Sequence, residues 1–109
     1  IYTLSLHDAL PIWSANGNAL RELNLAKNPS LESLNCSHNR LIDLDVSRNP
    51  MLRRLKCMGN ELKVIDVRQN FKLKFLESAP MPALETLYCP REAVYSKLAY
   101  PIKALVKYR

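Results

Sequence analysis

Leucine and other apolar residues recur along this chain at a fixed spacing. Successive segments open at Leu31, Leu41, Leu52 and Leu62, and two classes of segment alternate. One class reads LxxLxCxxNx and begins at Leu31 and Leu52, and the other reads LxxLDVxxNxx and begins at Leu41 and Leu62. One unit of each class makes a repeat of about 21 residues, a period typical of stacked repeat proteins. Within each segment the apolar residues alternate with polar ones, which is typical of an extended strand that buries one face.

Each of these segments is too short to bury its apolar face alone. When coils of constant length stack in register, every segment becomes a strand of a parallel ladder and the inward rows merge into one core. The pattern therefore predicts a solenoid of short parallel strands with little helix. The pattern also extends back to Trp13, which lies one period before Leu34.

An asparagine follows each predicted strand. Asn39 and Asn60 form one row, and Asn28, Asn49 and Asn70 form another. Asparagine suits a turn because its side chain bonds nearby backbone groups and because it tolerates unusual backbone angles. We interpret both rows as structural, since turn backbone that is buried must be hydrogen-bonded.

These two classes of segment, with their cysteine and asparagine positions, resemble the bacterial leucine-rich repeats of the IRREKO type, in which LxxLxCxxNxL and LxxLDLxxNxx alternate in about 21 residues. The match is close from Leu20 to Leu73 and partial from Trp13 and onward to Cys89, although Ser78 replaces a cysteine and residues 78–82 lack the asparagine. The resemblance implies a leucine-rich repeat solenoid that serves in protein recognition, often as part of a larger bacterial cell-surface or secreted protein.

The two ends of the chain depart from the repeat. Residues 1–12, IYTLSLHDALPI, match the translation of a common short-read sequencing adapter, so we expect them to be adapter-derived and the chain to be a fragment. The repeat array is predicted over residues 13–90. Residues 91–109 are rich in Lys and Arg and have apolar residues at helical spacing, although Pro101 should interrupt a helix. We predict that residues 91–109 are a basic cap, partly helical, over the last coil, or alternatively a solvated basic tail.

The formal net charge of +6 does not by itself indicate nucleic acid. Most charges alternate in sign along the repeats, and neither a nucleic-acid-binding motif nor interleaved aromatic residues accompany the basic tail. The apolar stretches are broken by charges every few residues, so we expect no membrane span.

Residue types that could carry chemistry fall at structural positions of the repeat. Cys36 and Cys57 are equivalent inward positions one coil apart, where two buried thiols are favoured over a disulfide because parallel side chains make a poor disulfide angle. Asp45 and Asp66 form an outward row that we expect to be solvated or paired with Arg and Lys. No nucleophile lies beside a base, and no CxxC pair is present. We therefore predict no catalytic, metal or cofactor site and no enzyme activity.

The outward residues of the LxxLxC segments line one continuous sheet face, which is the predicted partner-binding face. Arg53, Arg54 and Lys56 make a basic centre beside an exposed Phe75, a combination that suits an acidic protein partner because interfaces favour arginine and aromatic residues. The alternative interpretation is structural, with charged pairs across neighbouring strands. The predicted face comprises three rows, Glu32–Arg53–Lys74, Ser33–Arg54–Phe75 and Asn35–Lys56–Glu77.

Three functions follow from these observations. A recognition module is favoured, since the chain offers an extended repeat face without a catalytic constellation. The alternatives are an architectural spacer without its own ligand and the repeat portion of an effector enzyme whose catalytic domain lies elsewhere in the parent protein.

Overall fold

A computed structural model describes residues 11–90 in full, together with the backbone of three further strands in the terminal segments. The chain forms a solenoid in which every strand pairing is parallel, and the described residues contain no helix. The fold predicted from the repeat is therefore confirmed. In chain order the strands are β1 (Tyr2–Thr3), β2 (Ile12–Ser14), β3 (Leu23–Asn24), β4 (Ser33–Asn35), β5 (Arg54–Lys56), β6 (Val64–Asp66), β7 (Phe75–Glu77), β8 (Thr86–Cys89), β9 (Lys97–Ala99) and β10 (Leu105–Tyr108).

The LxxLxC segments build one side of the solenoid. Their strands form a five-stranded sheet in the order β2-β4-β5-β7-β9. Leu34 pairs with Leu55 and Leu55 with Leu76, so each residue faces its equivalent in the next repeat. From β2 to β7 the register of this sheet is therefore the period of the sequence, and between β7 and β9 it is one residue longer.

The LxxLDV segments build the other side, and their ladder is interrupted. Strand β3 pairs with β1, whereas β6, β8 and β10 form a separate three-stranded sheet. The equivalent segment of the coil between them, residues 42–46, does not form a strand. This side of the solenoid therefore consists of two short sheets separated by a segment without strand pairing.

The inward side chains of both ladders share one core. Leu34, Leu55 and Leu76 on one side and Ile65 and Leu87 on the other are all at most 3% exposed. Burial of each such side chain stabilises the fold by about 1.5–3 kcal/mol relative to its exposure. Since no coil could achieve this burial alone, the stability of each coil depends on its neighbours.

The first row of asparagines ties the turns of successive coils together. The Asn60 side-chain amide donates to the carbonyl of Cys57 in its own coil and to that of Cys36 in the coil before, both at 3.0 Å. Its Oδ1 accepts a hydrogen bond of 3.1 Å from the Leu41 backbone N–H. Asn39 makes the equivalent contacts with the preceding coil. The structural interpretation of this row is confirmed.

The second row of asparagines links the coils through hydrogen bonds that its side-chain N–H groups donate. The Asn49 amide donates to the carbonyls of Leu25 and Asn28, at 3.1 and 2.9 Å. Asn70 repeats this pattern on Val46 and Asn49 one coil later. The Oδ1 atoms of Asn49 and Asn70 have no hydrogen-bond partner within the described part of the chain. This row therefore also links coils, with fewer bonds per side chain than the first.

The residue before the first-row asparagine adopts left-handed backbone geometry in three coils. Gly17, His38 and Gly59 occupy this position with φ values of 77°, 57° and 70°. The next equivalent residue is Pro80, whose ring excludes a positive φ. Met81 then replaces the asparagine and is fully buried. The break in the motif at residues 78–82 is therefore a turn of different construction within a continuous ladder.

Both ends of the chain continue the ladders. Tyr2 pairs with Leu23 and Ile12 with Ser33, again one repeat apart. The assignment of residues 1–12 to a sequencing adapter concerns the origin of their codons, and it stays a prediction. In the tail, β9 and β10 are strands, so the helix expected there is wrong for these two segments. Strand pairing satisfies the backbone groups at the edges of β7 and β8, which a helix would leave unpaired. The rest of residues 91–109 lies outside the described residues, and the role of a cap stays a prediction.

Replacement of Asn60 tests the asparagine row. Asn60→Ala should lower the free energy of unfolding by about 3 kcal/mol, because it leaves two buried carbonyls and one N–H without partners. Asn18 is the matched control, since it holds the same repeat position but is exposed and donates only to Ala15 in its own coil. Asn18→Ala should cost less than about 0.5 kcal/mol in urea denaturation. Equal effects would contradict the link between coils.

Two glycines test the left-handed turn. A Cβ atom at Gly59 would meet the imidazole of His38, whereas one at Gly17 meets nothing within 4 Å. Gly17→Ala should cost about 1 kcal/mol for its backbone angle alone, and Gly59→Ala should cost more. In a His38→Gly background the difference between the two should vanish in thermal melts. If it persists, the contact with His38 is not the cause.

Candidate functional site

The structure brings all nine residues of the predicted face together on β4, β5 and β7 and the residues before them. Ser33, Arg54 and Phe75 are in register, as are Asn35, Lys56 and Glu77. Backbone hydrogen bonds from the Arg53 N–H to the Glu32 carbonyl and from the Lys74 N–H to the Arg53 carbonyl align the remaining row, Glu32–Arg53–Lys74. The alternation of inward leucines with outward polar residues causes this arrangement. Whether these residues bind a partner stays a prediction.

Two ion pairs cross this face. Arg53 Nε lies 3.5 Å from Glu32 Oε1, and Lys56 Nζ lies 3.9 Å from Glu77 Oε2. The expected pairing across neighbouring strands is therefore confirmed. The Arg53 and Glu32 side chains are 58% and 44% exposed, so their pair is screened by solvent and contributes about 0–1 kcal/mol. The face can therefore change its charges without unfolding the solenoid.

Phe75 lies beneath two cations. The Arg54 guanidinium carbon is 5.2 Å from the ring centroid and Lys56 Nζ is 5.7 Å from it. The expectation of an exposed Phe75 is wrong, because the ring is half-buried on the sheet with the cations over it. Arg54 itself remains exposed. A cation-covered aromatic ring therefore lies beside the basic centre of the face.

A shallow groove of about 280 Å³ opens beside this centre. Glu32, Ser33, Arg53 and Arg54 line it on one side, and Pro11 and Ile12 line the other. Since we expect residues 1–12 to be adapter-derived, we assign no site to this groove.

On the opposite side of the solenoid, the side chains of Asn24, Asp45 and Asp66 stabilise the turns that follow them. Asp45 accepts hydrogen bonds from the Ser47 hydroxyl at 2.6 Å and the Ser47 N–H at 2.9 Å, which lower its pKa. Hydrogen bonds from the Arg68 side chain lower the pKa of Asp66, and the ion pair measures 2.8 Å. The pairing of Asp66 with a neighbouring arginine is thus confirmed, whereas Asp45 bonds to a serine instead.

One contact of this side was not foreseen. The Arg68 guanidinium carbon lies 4.4 Å from the centroid of the Tyr88 ring. Tyr88 occupies the position of Asp66 one coil later, in a segment that no longer reads LDV. The feature of the sequence that could have indicated this contact is Tyr88, which stands in an otherwise polar row one strand away from the turn that contains Arg68.

The three cysteines are free and buried. Burial raises the pKa of Cys36 to about 12 and raises that of Cys57 well above its ordinary value. Cys89 is also buried, but it belongs to the opposite ladder, in the position of Val67. The prediction of two buried thiols one coil apart is therefore confirmed. Among the residues with described side chains, no three His, Cys, Asp or Glu residues are grouped to hold a metal ion.

The described part of the chain includes no helix with the length and apolar character needed to cross a membrane.

The comparisons with known proteins rest on structure. No protein-family model matches the chain, and no curated protein matches it. A solved structure that it resembles is the functional domain of InlJ from Listeria monocytogenes, with 27% sequence identity over 81% of this chain and a TM-score of 0.65. The fold is a leucine-rich repeat solenoid.

The InlJ structure is described as including a cysteine ladder. The present solenoid has its own two-residue cysteine row, Cys36 and Cys57, which ends at Ser78. This chain spans 22% of the InlJ chain, so the resemblance covers a part of that domain.

Thiol reactivity tests the inward row. At pH 8 the native protein should react with iodoacetamide far more slowly at Cys36, Cys57 and Cys89 than the protein unfolded in guanidinium, because the native thiols are neutral and buried. Mass spectrometry of the labelled peptides measures this directly. Rapid labelling of the native protein would contradict the structure.

The pH dependence of stability follows from the same burial. Because burial raises the pKa of Cys36 from 9.0 to about 12, the unfolded state loses this proton first, and the free energy of unfolding should fall as the pH rises above about 9.

Proposed function

We propose that this chain is the repeat portion of a larger protein and that it binds a protein partner through the face of β4, β5 and β7. The observation that carries this proposal is the cation-covered ring of Phe75 beside the basic centre of a continuous sheet face. The resemblance of its repeats to the IRREKO type supports a bacterial cell-surface or secreted parent protein.

The charges of the face favour an acidic partner. The nine residues include four cations and two carboxylates, and the carboxylates pair with Arg53 and Lys56. No carboxylate pairs with Arg54 in the part of the chain that the structure describes. A guanidinium can hold a carboxylate through two parallel hydrogen bonds, and the adjoining ring offers apolar contact. An extended segment that alternates acidic and apolar residues fits this chemistry.

The second candidate is an architectural spacer. The ion pairs Glu32–Arg53 and Lys56–Glu77 favour it, since they connect neighbouring coils and need no ligand. A spacer would not depend on the position of Arg54 over Phe75, and this difference separates the two proposals.

A defined peptide tests the proposal. A fluorescein-labelled peptide of alternating Glu and Leu should bind in fluorescence anisotropy at low ionic strength, and Arg54→Ala with Phe75→Ala should weaken it by about tenfold or more, as expected for the loss of a central contact. The matched control is Lys63→Ala with Val64→Ala, which also removes one cation and one apolar side chain, but from exposed positions on the other ladder. Thermal melts check that both variants stay folded. Equal losses, or no binding by the parent chain, would favour the spacer.

A further inference from the structure

The two outer faces of the solenoid carry opposite charge. The outward positions of the partner-binding face hold four cations and two anions, a net of +2. On the other ladder the outward positions between residues 21 and 88 hold two cations and five anions, a net of −3, and Arg68 in an adjoining turn pairs with one of these anions, Asp66. Because both ladders turn their apolar side chains into the shared core, these charges point away from each other. The residues of the second face, here called the acidic face, are Arg21, Glu22, Asp43, Asp45, Lys63, Asp66 and Glu85.

The carboxylates near the interruption of the ladder are the uncompensated ones. Arg68 pairs with Asp66, but no ion pair involves Glu22 or Asp43 within the described residues. Both of these side chains are exposed. Three of the five carboxylates, Glu22, Asp43 and Asp45, therefore lie on the first two coils of the acidic face, and Glu85 is a further carboxylate without an ion pair among the described residues.

An apolar centre accompanies this negative charge. Residues 42–46 do not join the ladder, and a groove of about 420 Å³ opens there, lined in part by Leu23, Leu44 and Ile42. Ile42 is 63% exposed and Val64, one coil on, is 45% exposed. Apolar residues exposed side by side and surrounded by polar ones mark interaction surfaces.

We propose that the acidic face of one copy docks on the basic sheet face of a second copy of this chain. The charges are complementary, and each face has an apolar element at its centre, Phe75 on one and Ile42 with Val64 on the other. Both faces are built on the same coils, so cations such as Arg53 and Lys74 recur once per coil along one face, and carboxylates such as Glu22 and Asp43 recur once per coil along the other. The matched spacing favours a second copy over an unrelated cationic partner.

The contact joins different surfaces of the two copies. It therefore leaves one face of each copy open and builds rows of chains instead of closed pairs. It also uses the basic face of the proposed function, so self-association and acidic-peptide binding compete for Arg54 and Phe75. The inference deepens the proposed function at this one face, but the acidic face is assigned independently of it.

Charge reversal on each face provides the test. One variant carries Glu22→Lys and Asp43→Lys, and the other carries Arg54→Glu and Lys74→Glu, all at exposed positions. In sedimentation equilibrium at low ionic strength, the average mass of the parent chain should rise with concentration and fall back in high salt. Each variant alone should associate at least about tenfold more weakly, because like charges then face each other.

The variant that combines all four substitutions is the decisive control. It exchanges the signs of the two faces and keeps the net charge of the parent chain at +6. The combined variant should regain self-association. An equimolar mixture of the two single-face variants should also associate, although these variants have net charges of +10 and +2. A parent chain that stays monomeric, or a combined variant that stays monomeric while the parent associates, would overturn the inference.

The peptide assay separates this inference from the proposed function. The Glu22→Lys, Asp43→Lys variant keeps the basic face intact and should still bind the acidic peptide. If it binds the peptide while no chain self-associates, only the docking of copies is wrong. If copies associate but the peptide does not bind, only the acidic-partner proposal is wrong.

Discussion

Parallel pairing of each strand with its equivalent about one repeat away is the constraint on which the rest of this solenoid depends. A strand of three residues buries too little apolar surface to be stable alone, so each coil must place its leucines over those of the coil before. Any slip of one residue would turn the apolar side chains outward. The turns must therefore return the chain to the same register, and buried asparagines and left-handed residues do this in the coils before residues 78–82, where a turn of different construction does so.

The same constraint separates the chemistry of the inward and outward positions. Inward cysteines are buried, and burial raises the pKa of the Cys36 thiol to about 12, while its Sγ lies 3.7 Å from the Lys56 carbonyl oxygen. Outward residues meet solvent and the equivalent residue one coil away, as Arg53 meets Glu32. Because these surface pairs contribute little stability, the outward rows can vary freely in sequence. Recognition by surface rows is therefore a function that this architecture readily supports.

The two ladders differ in continuity, and this difference gives the faces distinct character. The sheet that contains β4, β5 and β7 is unbroken, so its side chains form a flat, regular face centred on Phe75. The opposite ladder is interrupted at residues 42–46, where Asp45 bonds to Ser47 and Ile42 is exposed. The chain thus combines a continuous basic face with a grooved acidic one.

The sequence by itself determined the repeat, the parallel register, the inward cysteines and asparagines, and the three rows of the candidate face. These features follow from periodicity, because a constant repeat length fixes which residues lie one strand apart. The pairs Glu32–Arg53 and Lys56–Glu77 could be predicted for the same reason.

Only the tertiary structure decided how far Phe75 is covered, where the second ladder breaks, and that β9 and β10 are strands. The cover over Phe75 depends on the side-chain conformations of Arg54 and Lys56, which their spacing does not specify. The break falls in a segment, residues 41–46, that follows the same LxxLDV pattern as the segments on either side, so the motif does not indicate it. In the tail, the apolar spacing suits a helix locally, but the unpaired edges of β7 and β8 favour strands because buried backbone groups must be hydrogen-bonded.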